Sequence, residues 1–224
     1  MTIDDNPDYQ TSIPEEATPK VKGKHPNKAP TEIDYYVAGE LVGRRGFDYS
    51  GVIEWEVAFR NGGQHGWAYR WDDGRLMWRE PSENGCIHGT ASQWDREGNL
   101  MGQYTMEHGT GIDLWWQENS ETGKYLSEVY YKVAGLRHGY EWHFSEGVLH
   151  QEVQWFEGKR HGIERSWNFK DRLRRGYPQY WVNDEQVKRP QYLRALKSDA
   201  TLPLFRKEDN LPLRDFPPEI QKHL

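Results

Sequence analysis

Apolar and polar residues alternate along short stretches of this chain from Ile33 onward. Trp67, Tyr69 and Trp71, for example, stand two residues apart and are separated by Ala68 and a basic residue. A period of two is typical of a β-strand, in which successive side chains point to opposite faces. The sequence therefore predicts strands with one aromatic face and one polar face.

Short turns that contain glycine separate these stretches. One set of turns is represented by Asp72-Asp73-Gly74, and the other set by Asn84-Gly85. Glycine supplies the positive φ that a tight hairpin turn requires. Successive strands are therefore predicted to be antiparallel neighbours joined as hairpins.

The hairpins recur as copies of one unit. Four His-Gly pairs mark the copies, and Thr110-Gly111 occupies the equivalent place, at spacings of 23, 22, 28 and 23 residues. A large ring follows each of these positions by six residues. The histidines are His65, His88, His138 and His161, and the rings are Trp71, Trp94, Trp116, Phe144 and Trp167. Self-similarity at this period indicates a repeat architecture, and the longest spacing is attributed to an insertion at residues 119–124.

This pattern predicts an all-β fold, an elongated single-layer antiparallel sheet of tandem hairpins of about 23 residues each. Residues 32–187 form the predicted repeat domain. Residues 1–31 are rich in proline and charge and are predicted to be a flexible N-terminal tail. Residues 188–224 are predicted to form a short helix that begins near Pro190 and caps the last strand edge, followed by an extended proline-rich tail.

Composition narrows the class of protein. The chain holds 11 Trp and 13 Tyr but few aliphatic residues, which favours rings on strands over packed helices. A formal net charge of −6 disfavours nucleic acid as a partner. Cys86 is the only cysteine, so an intramolecular disulfide is excluded. The sequence has no apolar run that could span a bilayer and no secretory signal pattern at its start, so we expect a cytoplasmic protein without a transmembrane segment.

The segment Glu157-Gly158-Lys159-Arg160-His161-Gly162 and its weaker copies resemble the MORN (membrane occupation and recognition nexus) repeat. The His-Gly-x4-aromatic spacing is closer to the bacterial variant of that repeat. The resemblance covers roughly residues 35–187 and departs from the pattern where Thr110 replaces histidine. It implies a single-layer sheet of hairpins and a role as an antitoxin-like protein or an interaction scaffold. It brings no catalytic residues.

The repeat histidines are predicted to be structural. Successive hairpins advance by about 9.5 Å, which is too far for equivalent histidines to share one metal ion. Each histidine is instead expected to hydrogen-bond a carbonyl of a neighbouring turn. No metal and no cofactor is therefore expected.

The aromatic rings allow two interpretations. The rings six residues after the histidines are either the core itself or partly an open strip that accepts a partner. Trp115 is a candidate for binding because it falls on the otherwise polar face, where burial does not require a ring. The candidate binding residues are Trp67, Tyr69, Trp78, Trp115 and Trp142.

Other reactive residue types receive ordinary interpretations. The carboxylates of Glu54, Glu56, Asp72 and Asp73 lie at turns or on the polar strand face, where solvated roles are expected. Cys86 lies in a turn without a nucleophile signature.

These observations favour a non-enzymatic protein whose extended sheet binds another protein, as an interaction scaffold or an antitoxin-like immunity protein. The alternative is a carbohydrate- or phospholipid-binding module that uses exposed rings, with peripheral lipid or glycan contact. An enzyme is the third hypothesis, and it would require a pocket with paired carboxylates.

Overall fold

The computed structural model describes residues 6–119, 121 and 123–224. The chain forms two compact units, unit 1 (residues 1–109) and unit 2 (residues 110–224). The predicted all-β class, built from antiparallel hairpins with a short C-terminal helix, is confirmed.

Unit 1 is a meander in which each strand pairs with its neighbours in sequence. Its strands are β1 (Thr18–Lys24), β2 (Pro30–Val37), β3 (Glu40–Phe47), β4 (Ile53–Arg60), β5 (Gly63–Asp72), β6 (Arg75–Glu83), β7 (Cys86–Ile87), β8 (Gly89–Trp94) and β9 (Leu100–Glu107). The strands β7 and β8 are two halves of one interrupted strand, because both pair with β6.

Unit 2 repeats the same meander and adds the helices. Its strands are β10 (Thr110–Asn119), β11 (Gly123–Val133), β12 (Leu136–Ser145), β13 (Val148–Phe156), β14 (Lys159–Arg160), β15 (Gly162–Ser166), β16 (Gln179–Val182) and β17 (Glu185–Val187). The helices are α1 (Arg189–Ala195) and α2 (Pro218–Gln221), with a 3-10 turn at Glu208–Asn210 between them. The insertion predicted at residues 119–124 includes residues 120 and 122, which lie outside the described residues.

A β-bulge precedes the large ring of the repeat. At Trp71 the ring residue lies opposite Leu76, whereas its neighbour Arg70 lies opposite Trp78, so Met77 is the extra residue. The same one-residue shift occurs before Phe47, Trp94, Trp116 and Phe144. The bulge turns Leu76 toward the side of its sheet that carries the large rings, which we call the first face, and leaves Trp78 on the opposite, second face.

Each repeat histidine forms a hydrogen bond with the next turn. The predicted partner, a turn carbonyl, is wrong. In each case histidine Nδ1 accepts a hydrogen bond from a backbone N–H. The pairs are His65 with Asn84 (3.4 Å), His88 with His108 (3.2 Å), His138 with Glu157 (3.5 Å) and His161 with Asn183 (3.2 Å). Each donor residue has a positive φ and lies in a turn between two strands, so its N–H takes no part in the strand ladder. The imidazole supplies the acceptor that this turn geometry needs.

Thr110 performs the same task where histidine is absent. Its hydroxyl accepts a hydrogen bond from the N–H of Ala134 at 3.0 Å, and Ala134 also has a positive φ.

We expect Thr110→Ala to lower the free energy of unfolding by about 0.5–1.5 kcal/mol, because the Ala134 N–H loses its protein acceptor. Thr110→Ser keeps the hydroxyl and should retain most of the stability. Urea unfolding followed by circular dichroism measures both variants, and equal loss in both would contradict this role.

The N-terminal region is more structured than predicted. Residues 1–5 lie outside the described residues, but within the expected tail Thr18–Lys24 forms β1, which pairs with β2. Residues 6–17, the N-terminal segment, lie on the first face of unit 1. The segment folds because it buries Ile13, which is 6% exposed, and Tyr9, which packs against the rings below it.

The C-terminal region also packs more closely than an extended tail. The helix α1 lies against β16 and buries Tyr192 with Ile163, Tyr180 and Leu202. It therefore covers a face of the last strands, whereas the sequence predicts a cap on their edge. Residues 207–224, the C-terminal segment, carry the fully buried Ile220.

Candidate interaction surface

The first face of unit 1 is covered by the N-terminal segment. The ring of Tyr9 meets the rings of Tyr69 and Trp71 edge-on, with centroid distances of 4.9 and 5.3 Å. The side chain of Ile13 lies against Gly43, where a larger residue would collide with it. Tyr69 is consequently only 1% exposed.

A buried carboxylate anchors this segment. Glu56 accepts hydrogen bonds from the hydroxyls of Tyr9 (2.9 Å) and Thr11 (2.8 Å) and from the guanidinium of Arg45 (2.7 Å). Burial, reinforced by the Glu56 charge, raises the pKa of Tyr9. The prediction of a solvated Glu56 is wrong, because these three donors compensate the buried charge. Glu54 is exposed as expected.

Unit 2 uses the equivalent position for its own terminal segment. Glu152 precedes His161 by nine residues, as Glu56 precedes His65. Its carboxylate accepts hydrogen bonds from Arg165 at 2.8 Å and from two nitrogens of Arg214 at 2.8 and 3.1 Å. Glu152 and Arg165 are each 1% exposed. The C-terminal segment is therefore held by an ion-pair cluster in which Glu152 and Arg165 are fully buried and the Arg214 side chain is 12% exposed.

Aromatic contacts complete the cover of unit 2. Phe216 packs against Trp142 and Phe144 at centroid distances of 5.0 and 5.4 Å, and His223 packs against Trp116 at 5.5 Å. The indole N–H of Trp167 donates to a backbone carbonyl of the same segment at 2.6 Å. All five large rings of the repeat are buried, namely Trp71, Trp94, Trp116, Phe144 and Trp167. The interpretation of these rings as core is confirmed.

The candidate binding residues from the sequence fall into two groups. Tyr69 and Trp142 are buried under the chain's own terminal segments, so they do not line an open strip, and we leave them out of the proposed surface. Trp67 is half-buried, with the guanidinium of Arg79 over its ring at 4.9 Å. Trp78 and Trp115 are half-buried and lie on the second faces of their units.

The second face of unit 2 carries a row of alternating aromatic and arginine side chains. Arg137 lies over Tyr130 at 4.8 Å and over Trp155 at 4.9 Å, measured from Cζ to the ring centroid. Arg160 lies over Trp155 at 5.8 Å and over Trp181 at 4.8 Å. We call these five side chains the Arg–aromatic stack. All five are only half-buried.

Buried carboxylates hold the two guanidinium groups in place. Arg137 pairs with Glu141 at 2.9 Å, and Arg160 pairs with Glu164 at 3.5 Å. In each pair the carboxylate lies four residues after the arginine in the sequence. The two carboxylates are almost fully buried, whereas the two arginine side chains are 42% and 41% exposed. Each arginine is therefore fixed by a ring and a carboxylate but still offers N–H groups to solvent.

Sequence reasoning missed this stack, although a signal for it was present. Arg137 and Arg160 stand immediately before the repeat histidines of unit 2, whereas Gln64 and Ile87 take that place in unit 1. The recurring Arg-His-Gly triplet thus distinguishes the two units. Contact with rings that lie 7 and 5 residues upstream, at Tyr130 and Trp155, follows only from the strand register.

A histidine pair in unit 2 makes stability depend on pH. His150 lies beside His143, with ring centroids 6.1 Å apart. Burial, and then the charges of His143 and Arg174, lower the pKa of His150. The unfolded chain should therefore bind the proton more tightly than the folded chain, and we expect stability to fall as the pH drops through about 6.5.

This pH dependence can be assigned to His150 by substitution. We expect the loss of stability between pH 7.5 and 5.5 to be smaller in His150→Gln than in the natural protein, because glutamine stays neutral. Urea unfolding at both pH values measures the difference. An unchanged pH dependence in the variant would show that other groups control it.

One cluster of unit 1 has the residue types of a metal site. Ligand atoms of Glu83, His88 and His108 lie within 4.8 Å of one another. However, His88 Nδ1 accepts the hydrogen bond described above, so in the neutral ring Nε2 carries the hydrogen and faces Glu83 at 3.8 Å. To bind a metal ion, Nε2 would have to be without its hydrogen. The cluster does not fit metal ligation as it stands, and we assign no metal to it.

No protein-family model matches the sequence, and no curated protein matches it. Within the described part of the chain, no helix is both long and apolar enough to cross a membrane. The resemblance to the MORN repeat thus stays a prediction.

Proposed function

We propose that this chain is a non-enzymatic, cytoplasmic protein-interaction repeat protein and that the Arg–aromatic stack forms part of the surface that binds its partner. The observation that carries the proposal is the half-exposed row of rings and guanidinium groups on the second face of unit 2. Tryptophan, tyrosine and arginine dominate the binding energy of protein interfaces. The resemblance to bacterial MORN-variant repeats supports the narrower form of the proposal, an antitoxin-like immunity protein.

The stack suits a protein partner because it is organised before binding. The Glu141 and Glu164 carboxylates restrict the rotamers of Arg137 and Arg160. Ordering a free arginine or tryptophan at an interface costs about 0.5–1.5 kcal/mol per side chain. Side chains that are already fixed avoid most of this cost, which favours affinity.

The same contacts weigh against the carbohydrate and lipid alternatives at this surface. A sugar stacks on a bare ring face, but two guanidinium groups already lie over Trp155. An anionic lipid headgroup needs uncompensated positive charge. Here each arginine is neutralised by its own glutamate. Binding to carbohydrate or lipid is therefore one of the outcomes that the test distinguishes.

The test compares partner capture by the natural protein with capture by surface variants. Purified, folded bait is incubated with extract of the native host, and a stoichiometric partner is then purified and titrated by calorimetry. We expect Trp155→Ala and Arg160→Gln each to weaken binding at least about tenfold, as for interface hot spots. Tyr49→Ala is the matched control, because that ring is 58% exposed and lies in unit 1.

Two results would contradict the proposal. One is repeated failure of folded bait to retain a stoichiometric protein. The other is a partner whose affinity is unchanged by both stack variants while circular dichroism shows them folded. Binding to a glycan array or to phosphatidylserine vesicles without a protein partner would transfer support to the alternative.

A further inference from the structure

A rigid turn in unit 2 holds a phenylalanine out into solvent. Residues 168–172 form this turn, and Phe169 within it is 92% exposed. The Asn168 side-chain oxygen accepts hydrogen bonds from the N–H groups of Lys170 (2.9 Å) and Arg172 (3.3 Å). The backbone N–H of Asn168 donates to the Arg172 carbonyl at 2.9 Å. The turn is therefore ordered by hydrogen bonds that do not involve the phenylalanine side chain.

The fold does not require an apolar residue at this position. The turn that begins at Asp95 uses the same arrangement, in which the Asp95 carboxylate accepts hydrogen bonds from the N–H groups of Glu97 (3.0 Å) and Asn99 (2.7 Å). The residue equivalent to Phe169 there is Arg96, whose side chain is 73% exposed. A charged side chain thus serves this turn geometry equally well, and Phe169 gains no burial from its place in the fold.

Basic residues flank the exposed ring in the sequence. Residues 168–176 carry four positive charges, on Lys170, Arg172, Arg174 and Arg175, against one carboxylate. In the part of the chain that the structure describes, none of the four forms an ion pair. The Lys170 ammonium lies over the Phe169 ring at 5.6 Å. The turn is therefore a positive, apolar-tipped projection on a chain whose net charge is −6.

We infer that this turn is an anchor that inserts Phe169 into an apolar pocket within an acidic surface of the partner protein. The inference rests on the proposed function and names the chemistry of the partner. A ring on a rigid turn adds buried apolar area at little entropic cost, and the flanking cations steer it toward negative charge. The net negative charge of the whole chain opposes approach to an anionic bilayer or to nucleic acid. A protein with a local acidic patch needs to contact only the positive turn and not the rest of the negatively charged chain.

Site-specific crosslinking tests the inference on the full chain. The variant Phe169→p-benzoylphenylalanine is irradiated in host cells, and the crosslinked peptide is identified by mass spectrometry. We expect a protein crosslink at a segment rich in Asp and Glu. The same photoreactive residue at Tyr49, another exposed turn ring, should not capture that protein.

Binding of the purified partner then decides the role of the turn. We expect Phe169→Ala to weaken binding at least about tenfold. The double variant Arg172→Glu and Arg175→Glu should slow association and remove its dependence on salt. Both variants should unfold like the natural protein, because these side chains are exposed.

The outcomes separate this inference from the proposed function. A partner that is sensitive to Trp155→Ala but indifferent to Phe169→Ala overturns the anchor and leaves the interaction surface standing. The absence of any partner overturns both. Phe169-dependent binding to phosphatidylserine vesicles, or to single-stranded oligothymidylate, would replace the acidic protein with a membrane or a nucleic acid.

Discussion

Replacing Glu152 with alanine is expected to lower the free energy of unfolding by about 3–5 kcal/mol, the usual cost of removing one partner from a buried ion pair. The substitution removes the closer carboxylate partner of the Arg165 guanidinium, which is 1% exposed, and leaves it with the partly exposed Asp209 carboxylate at 3.6 Å. It also removes both carboxylate acceptors of Arg214, which keeps its backbone carbonyl acceptors, and the acceptor of the Trp142 indole N–H. The C-terminal segment should then detach from the first face of unit 2.

Urea unfolding followed by far-ultraviolet circular dichroism measures the loss, and limited proteolysis reports release of the segment. Glu185→Ala is the matched control, because Glu185 is exposed at the start of β17, the last strand of unit 2. Arg214→Ala should cost less than Glu152→Ala, since Arg165 and Glu152 remain paired. Equal stability of Glu152→Ala and the control would show that the cluster does not hold the segment.

Replacing Trp116 with alanine should destabilise unit 2 to a similar extent, by about 3–5 kcal/mol for loss of a large buried ring. Trp116 is 4% exposed and lies directly after the bulge in β10, opposite the fully buried Leu126. It also supports His223 of the C-terminal segment. Its removal opens a cavity between the sheet and that segment.

The conservative variant Trp116→Phe retains an aromatic ring and should recover part of the lost stability. Phe169→Ala serves as the exposed control, with an expected change within about 0.5 kcal/mol. Thermal unfolding of the three variants measures the series. A loss below about 1 kcal/mol for Trp116→Ala would mean that the ring contributes little to the core.

The hairpin architecture was predictable because it depends on local signals. Glycine in the turns, the period of two and the recurrence of the His-Gly pair each follow from chemistry within one repeat. The role of the repeat histidine was predicted only in part. A structural hydrogen bond is present, but its donor is a turn N–H, because residues such as Asn84 and Glu157 lie outside the strand ladder and their N–H groups need another acceptor.

The covering of the first faces was not predictable from the repeat. The N-terminal region has the proline and charge content of a flexible tail, and that composition does not show that Tyr9 and Ile13 find partners far along the chain. The composition of the C-terminal region likewise does not show that Phe216 and Arg214 find partners far along the chain. Burial of Tyr69 and Trp142, two of the five candidate binding residues, follows from these long-range contacts.

The sequence by itself determined the all-β class, the length of the repeat, the positions of the turns and the positions of the large rings, and the structure then showed that these rings are core. Only the tertiary structure decided which rings stay half-exposed, because bulges reset the alternation of faces and the terminal segments bury one face of each unit. It also brought Arg137 and Arg160 onto their rings across neighbouring strands. The physical reason is that local propensity acts within a few residues, whereas burial is set by groups that are distant in sequence.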